Sequence, residues 1–266
     1  MTTITRERQS DDLRVARPPR PRRVESPVHR RRRMWRWKVV AVASAALAAG
    51  IVAASLYHPP VGVVLPERAV DVSQDVTITG VPAHAPRGVY LMLTVRTVRP
   101  TLLGLGRELL HGNRQLVKTS THDGRDGATA KSEAAQFAES RLDAAAAGAR
   151  AAGLKVGPSG VLPFKVQFRS RPVVGPSAGL VYALLIDDML TPGDRAQGRT
   201  VAATGAISVD GTVSDVGYVS EKAEEAEGRA VYLVVPEDQA DQAYGRALIV
   251  DGVGSLDESI RLLNGS

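Results

Sequence analysis

Nineteen consecutive residues without a charge, Val39 to Tyr57 (VVAVASAALAAGIVAASLY), follow directly on a basic cluster of Arg30 to Arg33, Arg36 and Lys38. A helix needs roughly 20 apolar residues to cross the hydrocarbon core of a bilayer, so this run reads as one transmembrane helix. Positive charge is retained on the cytoplasmic side, which puts the N-terminus inside and the rest of the chain outside a plasma membrane, with Trp35 and Trp37 as interfacial anchors. A cleaved export signal is the alternative. Ala53-Ala54-Ser55 offers small residues for cleavage, and Arg31-Arg32-Arg33 resembles a twin-arginine address. The absence of cysteine fits either compartment.

Charge divides the chain at the same place. Residues 1–38 hold 13 Lys and Arg against 4 Asp and Glu, whereas the remainder holds 21 against 24, so the net +6 comes entirely from the tail. With Pro18, Pro19, Pro21 and Pro27 and almost no apolar residues, the tail cannot bury a core and is expected to be disordered. It is suited to topology retention or to contact with anionic headgroups. Nucleic acid is not an expected partner, because the body is mildly acidic and the tail lacks interleaved aromatics.

Residues 58–266 suffice for one compact domain. Alternation in Val76 to Thr79 and in Tyr90 to Arg96 predicts strands. Thr121 to Gly127 reads as a flexible loop, and the Ala-rich stretch Ser132 to Ala152, interrupted only by Gly148, as a long helix. Val201 to Ser208 and Thr212 to Val216 flank Asp210-Gly211, a tight-turn signal, and so predict a hairpin. A helix from Ser220, a strand Ala230 to Val235, a short helix after Pro236, a strand Ala247 to Val250 and a helix Leu256 to Leu263 complete an α+β pattern.

Two segments carry the chemistry. Gly175-Pro176-Ser177-Ala178-Gly179 lies between a strand-like run, Val161 to Arg169, and a strongly apolar stretch, Ala178 to Ile186, so Ser177 is expected to open a helix. Backbone N–H groups at a helix start lack partners and face the positive end of the dipole, which suits them to an oxyanion. Gly175 and Gly179 have no Cβ to obstruct an approaching substrate backbone. A serine hydroxyl needs a base, and Lys222, early in a charged helix, can serve if its amine is uncharged. The plainer alternatives are that Ser177 caps a buried helix and that Lys222 is a solvated side chain.

Ser177 and Lys222 sit in a longer series of matching segments: Leu190 to Asp194, Thr204 to Ile207, Asp210 to Val213, Gly217 to Lys222 and Tyr232 to Pro236. In order and spacing these resemble the proteolytic domain of the Lon-type serine peptidases, especially the membrane-anchored group without an ATPase. The resemblance covers about Val161 to Leu263 and, more weakly, Val89 to Arg99. It implies the Lon proteolytic-domain fold, with Ser177 as nucleophile, Lys222 as general base and Thr204 as the threonine that orients the lysine; Gly175, Ala178 and Gly179 would support the nucleophile. Related proteases assemble into rings, which leaves room for a homo-oligomer.

This chain departs from that group at two glycine pairs, having Val174-Gly175 before Pro176 and Gly217-Tyr218 before Val219. Added Cβ atoms reduce backbone freedom there, and Tyr218 would narrow a substrate groove. Only Lys155 to Gly160 separates the long helix from the strand leading to Ser177, where relatives usually carry a PDZ domain.

Other constellations are weaker. Gly193 to Thr200 approaches a phosphate-binding loop, but Arg199 replaces the lysine and a strand, not a helix, is expected next. The five histidines are scattered at no metal-ligand spacing, and none follows Ser177, so neither a metal site nor a histidine triad is expected. The sequence therefore predicts a single-pass, ATP-independent Ser-Lys endopeptidase acting without cofactor on unfolded or membrane-associated proteins. Its rival is a catalytically silent Lon-like module that binds peptides or scaffolds an assembly.

Overall fold

The computed structural model describes residues 27–110, 115–118, 127–171, 173, 175–244 and 248–265, with side chains described from residue 35 in the first helix and from 132 in the third. The chain clusters into two units that part between Ala53 and Ala54.

Helix α1 (Pro27–Leu56) runs through the uncharged segment. Its stretch Trp35–Leu56, 22 residues with a mean hydropathy of 2.3, is long and apolar enough to cross a membrane. It starts at Pro27 rather than Val39, so the basic residues 27–38, expected in the disordered tail, are helical. Proline is tolerated in a first helical turn and none follows before Pro59, so nothing stops the helix propagating back through the arginines. Residues 1–26 of the expected tail lie outside the described residues.

The second unit is a mixed α+β fold. It begins with β1 (Val61–Pro66), β2 (Val70–Asp71), β3 (Val76–Thr79), β4 (Val89–Met92) and β5 (Val95–Val98), then α2 (Leu102–Leu110), β6 (Leu116–Lys118) and α3 (Gly127–Ala151). After β7 (Lys165–Phe168) and one 3-10 turn (Pro176–Ala178) come α4 (Gly179–Leu190), β8 (Thr200–Ala203), β9 (Ala206–Ile207) and β10 (Val213–Ser214). The chain ends with α5 (Val219–Ala226), β11 (Tyr232–Pro236), a 3-10 segment (Glu237–Gln242), β12 (Ile249–Val253) and α6 (Leu256–Gly265). The loop expected at Thr121 to Gly127 falls, for residues 121–126, outside the described residues, as does Ala247 at the start of the expected last strand.

A five-stranded sheet in the order β12-β11-β8-β4-β2 forms the centre; the first four strands are parallel and β2 runs antiparallel to β4. Successive side chains of a strand point to opposite faces, and the core follows that alternation. Tyr90, Met92, Val201, Ala203, Tyr232 and Val234 pack with α3, α4 and α6. Leu91, Leu93, Ala202, Leu233 and Val235 pack with Val219, Ala223 and Ala226 of α5.

Helix α4 anchors the first face. Leu180, Val181, Tyr182, Leu184, Leu185 and Ile186 are fully buried, and each large apolar side chain removed from water contributes about 2 kcal/mol. The alanine run of α3 lies against it, and Gly148 is the point of closest approach. A Cβ there would lie 2.7 Å from the Ala183 carbonyl and 3.0 Å from Ile186. The small residues that made α3 legible as a helix therefore also set how near α4 can come.

Two expected strands are each divided. Tyr90 to Arg96 splits into β4, in the central sheet, and β5, which pairs with β1 in a separate sheet of order β5-β1-β6. Val201 to Ser208 splits into β8 and β9; β9 pairs with β10 as the expected hairpin around Asp210-Gly211, while β8 stays in the central sheet. The break falls on Thr204-Gly205.

Candidate active site

The break after β8 is where the two faces of the sheet meet. Thr204 donates its backbone N–H to Val234 O at 3.0 Å, and Gly205 donates to Ser177 O at 2.9 Å. In return Leu180 N–H reaches Gly205 O at 3.1 Å. These bonds fasten the start of α4 to the C-terminal end of a parallel strand, the edge at which open α/β sheets place their ligand crevices.

Ser177 does not open an α-helix as expected; it is the middle residue of the 3-10 turn, and α4 proper starts at Gly179. The cause is local. Gly175 takes φ +89° and ψ 164°, a conformation that L side chains rarely adopt, and Pro176 follows with its fixed φ, so the chain turns sharply before the helix can begin. The Ser140 hydroxyl of α3 donates to Pro176 O at 2.9 Å and holds the turn from behind. Ser177 itself is half-buried, and Ala178 is buried.

The two glycines play different parts. A Cβ on Gly175 would meet nothing within 4 Å, so the space beside this position is open. Gly179 faces inward. A Cβ there would come within 2.8 Å of Ser140 Oγ and 2.9 Å of Ile207 Cγ2, so its smallness serves packing rather than substrate access, correcting the sequence expectation. Val174 lies outside the described residues.

Lys222 comes from α5, on the opposite face of the sheet, and is 3% exposed. Its Nζ donates to Thr204 Oγ1 at 3.0 Å, and Thr204 Oγ1 in turn donates to Ser177 O at 3.2 Å. Among the described residues the amine has no carboxylate partner and makes no hydrogen bond to Ser177 Oγ. Burial without a counter-charge disfavours the ammonium form, and the Lys222 pKa is pulled down from 10.5 to about 8. Thr204, 1% exposed, thus links the lysine to the backbone of the serine turn.

The segment leading into α5 is held by contacts that the sequence did not announce. Gln239 accepts from Val216 N–H and donates to Val216 O, both at 2.9 Å, in place of a strand partner. Glu221, 2% exposed, accepts from Gln115 N–H at 3.2 Å, and Glu225 from Ala69 N–H at 2.8 Å. Tyr218 then enters α5 with φ 65° and ψ 39°, left-handed backbone that costs a residue with a Cβ roughly 1–2 kcal/mol. The departure at Gly217-Tyr218 is therefore a conformational one: tyrosine occupies a position whose backbone favours glycine. A polar side chain three residues into a 3-10 segment, as Gln239 is, carries no sequence signal of such a role.

The near phosphate-binding loop is occupied by structural bonds. Arg195 pairs with Asp187 at 2.8 Å, and Arg199 donates to Leu263 O at 2.6 Å while lying over the Tyr232 ring. Strand β8 follows it, as the sequence suggested.

Chemically, the arrangement supplies a hydroxyl at an open turn and a buried amine that can be uncharged near neutral pH, joined through one threonine. No family model and no curated protein matches the chain.

Proposed function

We propose that the chain is a membrane-anchored, ATP-independent serine endopeptidase of the Lon type. The observation that carries this reading is the buried Lys222 amine, with a pKa near 8 and no carboxylate partner among the described residues, bonded to the same threonine that bonds the Ser177 backbone. A lysine buried among apolar neighbours without a carboxylate is costly to keep, and an uncharged base beside a serine gives it a use. The Lon-type assignment rests on the sequence resemblance, whose three key positions, Ser177, Thr204 and Lys222, converge here from three elements.

In the proposed reaction the Lys222 amine takes the Ser177 proton as Oγ attacks a peptide carbonyl. The ammonium then gives that proton to the leaving amine, and water, deprotonated by the same lysine, hydrolyses the acyl-enzyme. Backbone N–H groups of the turn at Ser177 and Ala178 face the developing oxyanion. Helix α1 anchors the domain, with the basic flank on the cytoplasmic side.

A second reading, a silent peptide-binding or scaffolding module, is favoured by one feature: Ser177 Oγ and Lys222 Nζ share no hydrogen bond. The full chain in detergent, compared with Ser177→Ala and Lys222→Ala on an unfolded protein substrate, separates the two. New chain ends detected by mass spectrometry for the parent chain alone support the protease; equal cleavage by all three removes the dyad, and peptide binding without cleavage favours the scaffold.

A further inference from the structure

Helix α2 is built with its apolar side outward. Leu102, Leu103, Leu109 and Leu110 are 46%, 53%, 49% and 87% exposed, and none of its residues is buried. At 100° per residue these leucines share one side of the helix, while Glu108 lies opposite. Thr101 caps it, accepting Gly104 N–H at 3.2 Å, so the helix is a formed element. An amphipathic helix in a soluble domain normally turns such a face to the core.

Its position along the chain supplies the occupant. The first N–H of α2, from Leu102, donates to Tyr57 O at 2.8 Å, and Tyr57 directly follows Leu56, the last residue of the apolar span. The start of α2 is thereby held to the residue at which the chain leaves that span. Nine residues at 1.5 Å each extend roughly 13 Å, so no part of α2 can be far from that exit. Tyr57 is itself 57% exposed, and an aromatic with a polar tip suits the headgroup level.

We propose that α2 lies in the interface of the bilayer that α1 crosses, with Leu102, Leu103, Leu109 and Leu110 inserted among the acyl chains. This rests on α1 being a membrane anchor. A helix of this kind binds with its apolar face roughly 5–10 Å into the headgroup–acyl boundary. A second copy of the chain is the poorer occupant, because one nine-residue helix offers far less than the roughly 1,200 Å² at which stable protein interfaces begin. The consequence is a second attachment of the domain to the bilayer, made by α2 itself.

The chain has no cysteine, so single cysteines can report each site. Full-length protein carrying Leu103→Cys, Leu110→Cys, Glu108→Cys or, within the span, Ala49→Cys is labelled with an environment-sensitive fluorophore. It is then reconstituted in phosphatidylcholine–phosphatidylglycerol vesicles. Labels at 103 and 110 are expected to shift to the blue, to be quenched by acyl-chain nitroxides and to lose quenching by iodide; the label at 108, on the side turned to the domain, should escape nitroxide quenching. If position 49 is quenched by acyl-chain nitroxides but 103 and 110 remain open to iodide, the anchor stands and the α2 proposal falls. If 110 instead shows self-quenching that vanishes on dilution with unlabelled chain, without nitroxide quenching, a second copy covers the helix and the proposal is overturned. Absence of nitroxide quenching at 49 removes the anchor and this proposal with it.

Discussion

Helix α4 buries eleven consecutive residues, Gly179 to Met189, whereas α5 buries five of its eight, and two of those, Glu221 and Lys222, are ionisable. Ser177 therefore stands on a support fixed by apolar packing, with the turn itself pinned by Ser140 and Gly205. Lys222 stands on a short helix entered through a left-handed tyrosine and steadied by polar contacts from Gln239, Glu221 and Glu225. The lesson is that the densest apolar packing and the buried amine lie on different faces of one sheet. The first face resists change; the second bears the energetic load of a buried lysine, which the proposed reaction would put to use.

Removing either reacting group should have the largest effect and split the two faces most clearly. Ser177→Ala and Lys222→Met are each expected to lower kcat/KM for peptide cleavage by about 10⁴-fold or more, measured on a fluorogenic unfolded substrate. Their stabilities should differ. Lys222 loses its proton near pH 8 when folded and near 10.5 when unfolded, so below pH 8 folding carries a penalty of about 3 kcal/mol. That penalty fades as pH rises from 8 to 10.5. Lys222→Met should accordingly raise the denaturation midpoint at pH 7 and lose the advantage by pH 10.5, while Ser177→Ala shows no such pH dependence.

Gly148→Leu strikes the packed face. With 2.7 Å to the Ala183 carbonyl, the new side chain must push α3 from α4, at roughly 3 kcal/mol or about 6–12 °C in Tm. Thermal unfolding followed by circular dichroism checks it. Gln239→Ala strikes the other face, freeing Val216 on both its N–H and its carbonyl; we expect about a tenfold loss in kcat with Tm nearly unchanged, because the segment leading into α5 loosens without exposing a core. The smallest change comes from Tyr218→Gly, which relieves roughly 1 kcal/mol of left-handed strain and should raise the denaturant midpoint slightly with cleavage retained. A large loss of activity there would mean that the tyrosine ring contacts substrate.

The contrast between faces also explains what could be read in advance. Runs with a single strong pattern were legible: the uncharged span, the alanine-rich α3, the apolar α4 and the β9–β10 hairpin. Ser177, Thr204 and Lys222 are singled out only by resemblance, and that the Lys222 amine and the Ser177 carbonyl meet at the Thr204 hydroxyl is a tertiary fact. Continuous alternation hid the breaks at Thr204-Gly205 and between β4 and β5, since each half keeps the same period while joining a different sheet. Gly179 looked like a substrate-facing glycine because its inward contacts, with Ser140 and Ile207, come from distant elements. The clamp by Gln239 depends on a side chain reaching back 23 positions, which no local pattern encodes.

If burial makes Lys222 the base for Ser177, its amine gives up its proton near pH 8 instead of 10.5, and the rate of Ser177 acylation must follow that titration. Full-length protein is reacted with a fluorophosphonate, and the rate of labelling at Ser177 is followed by mass spectrometry from pH 6 to 11. The rate is expected to rise tenfold per pH unit and to level off near pH 8, with no labelling of Lys222→Met. A rise that continues to the ordinary lysine value of 10.5, or labelling that survives loss of the amine, would contradict Lys222 as the base.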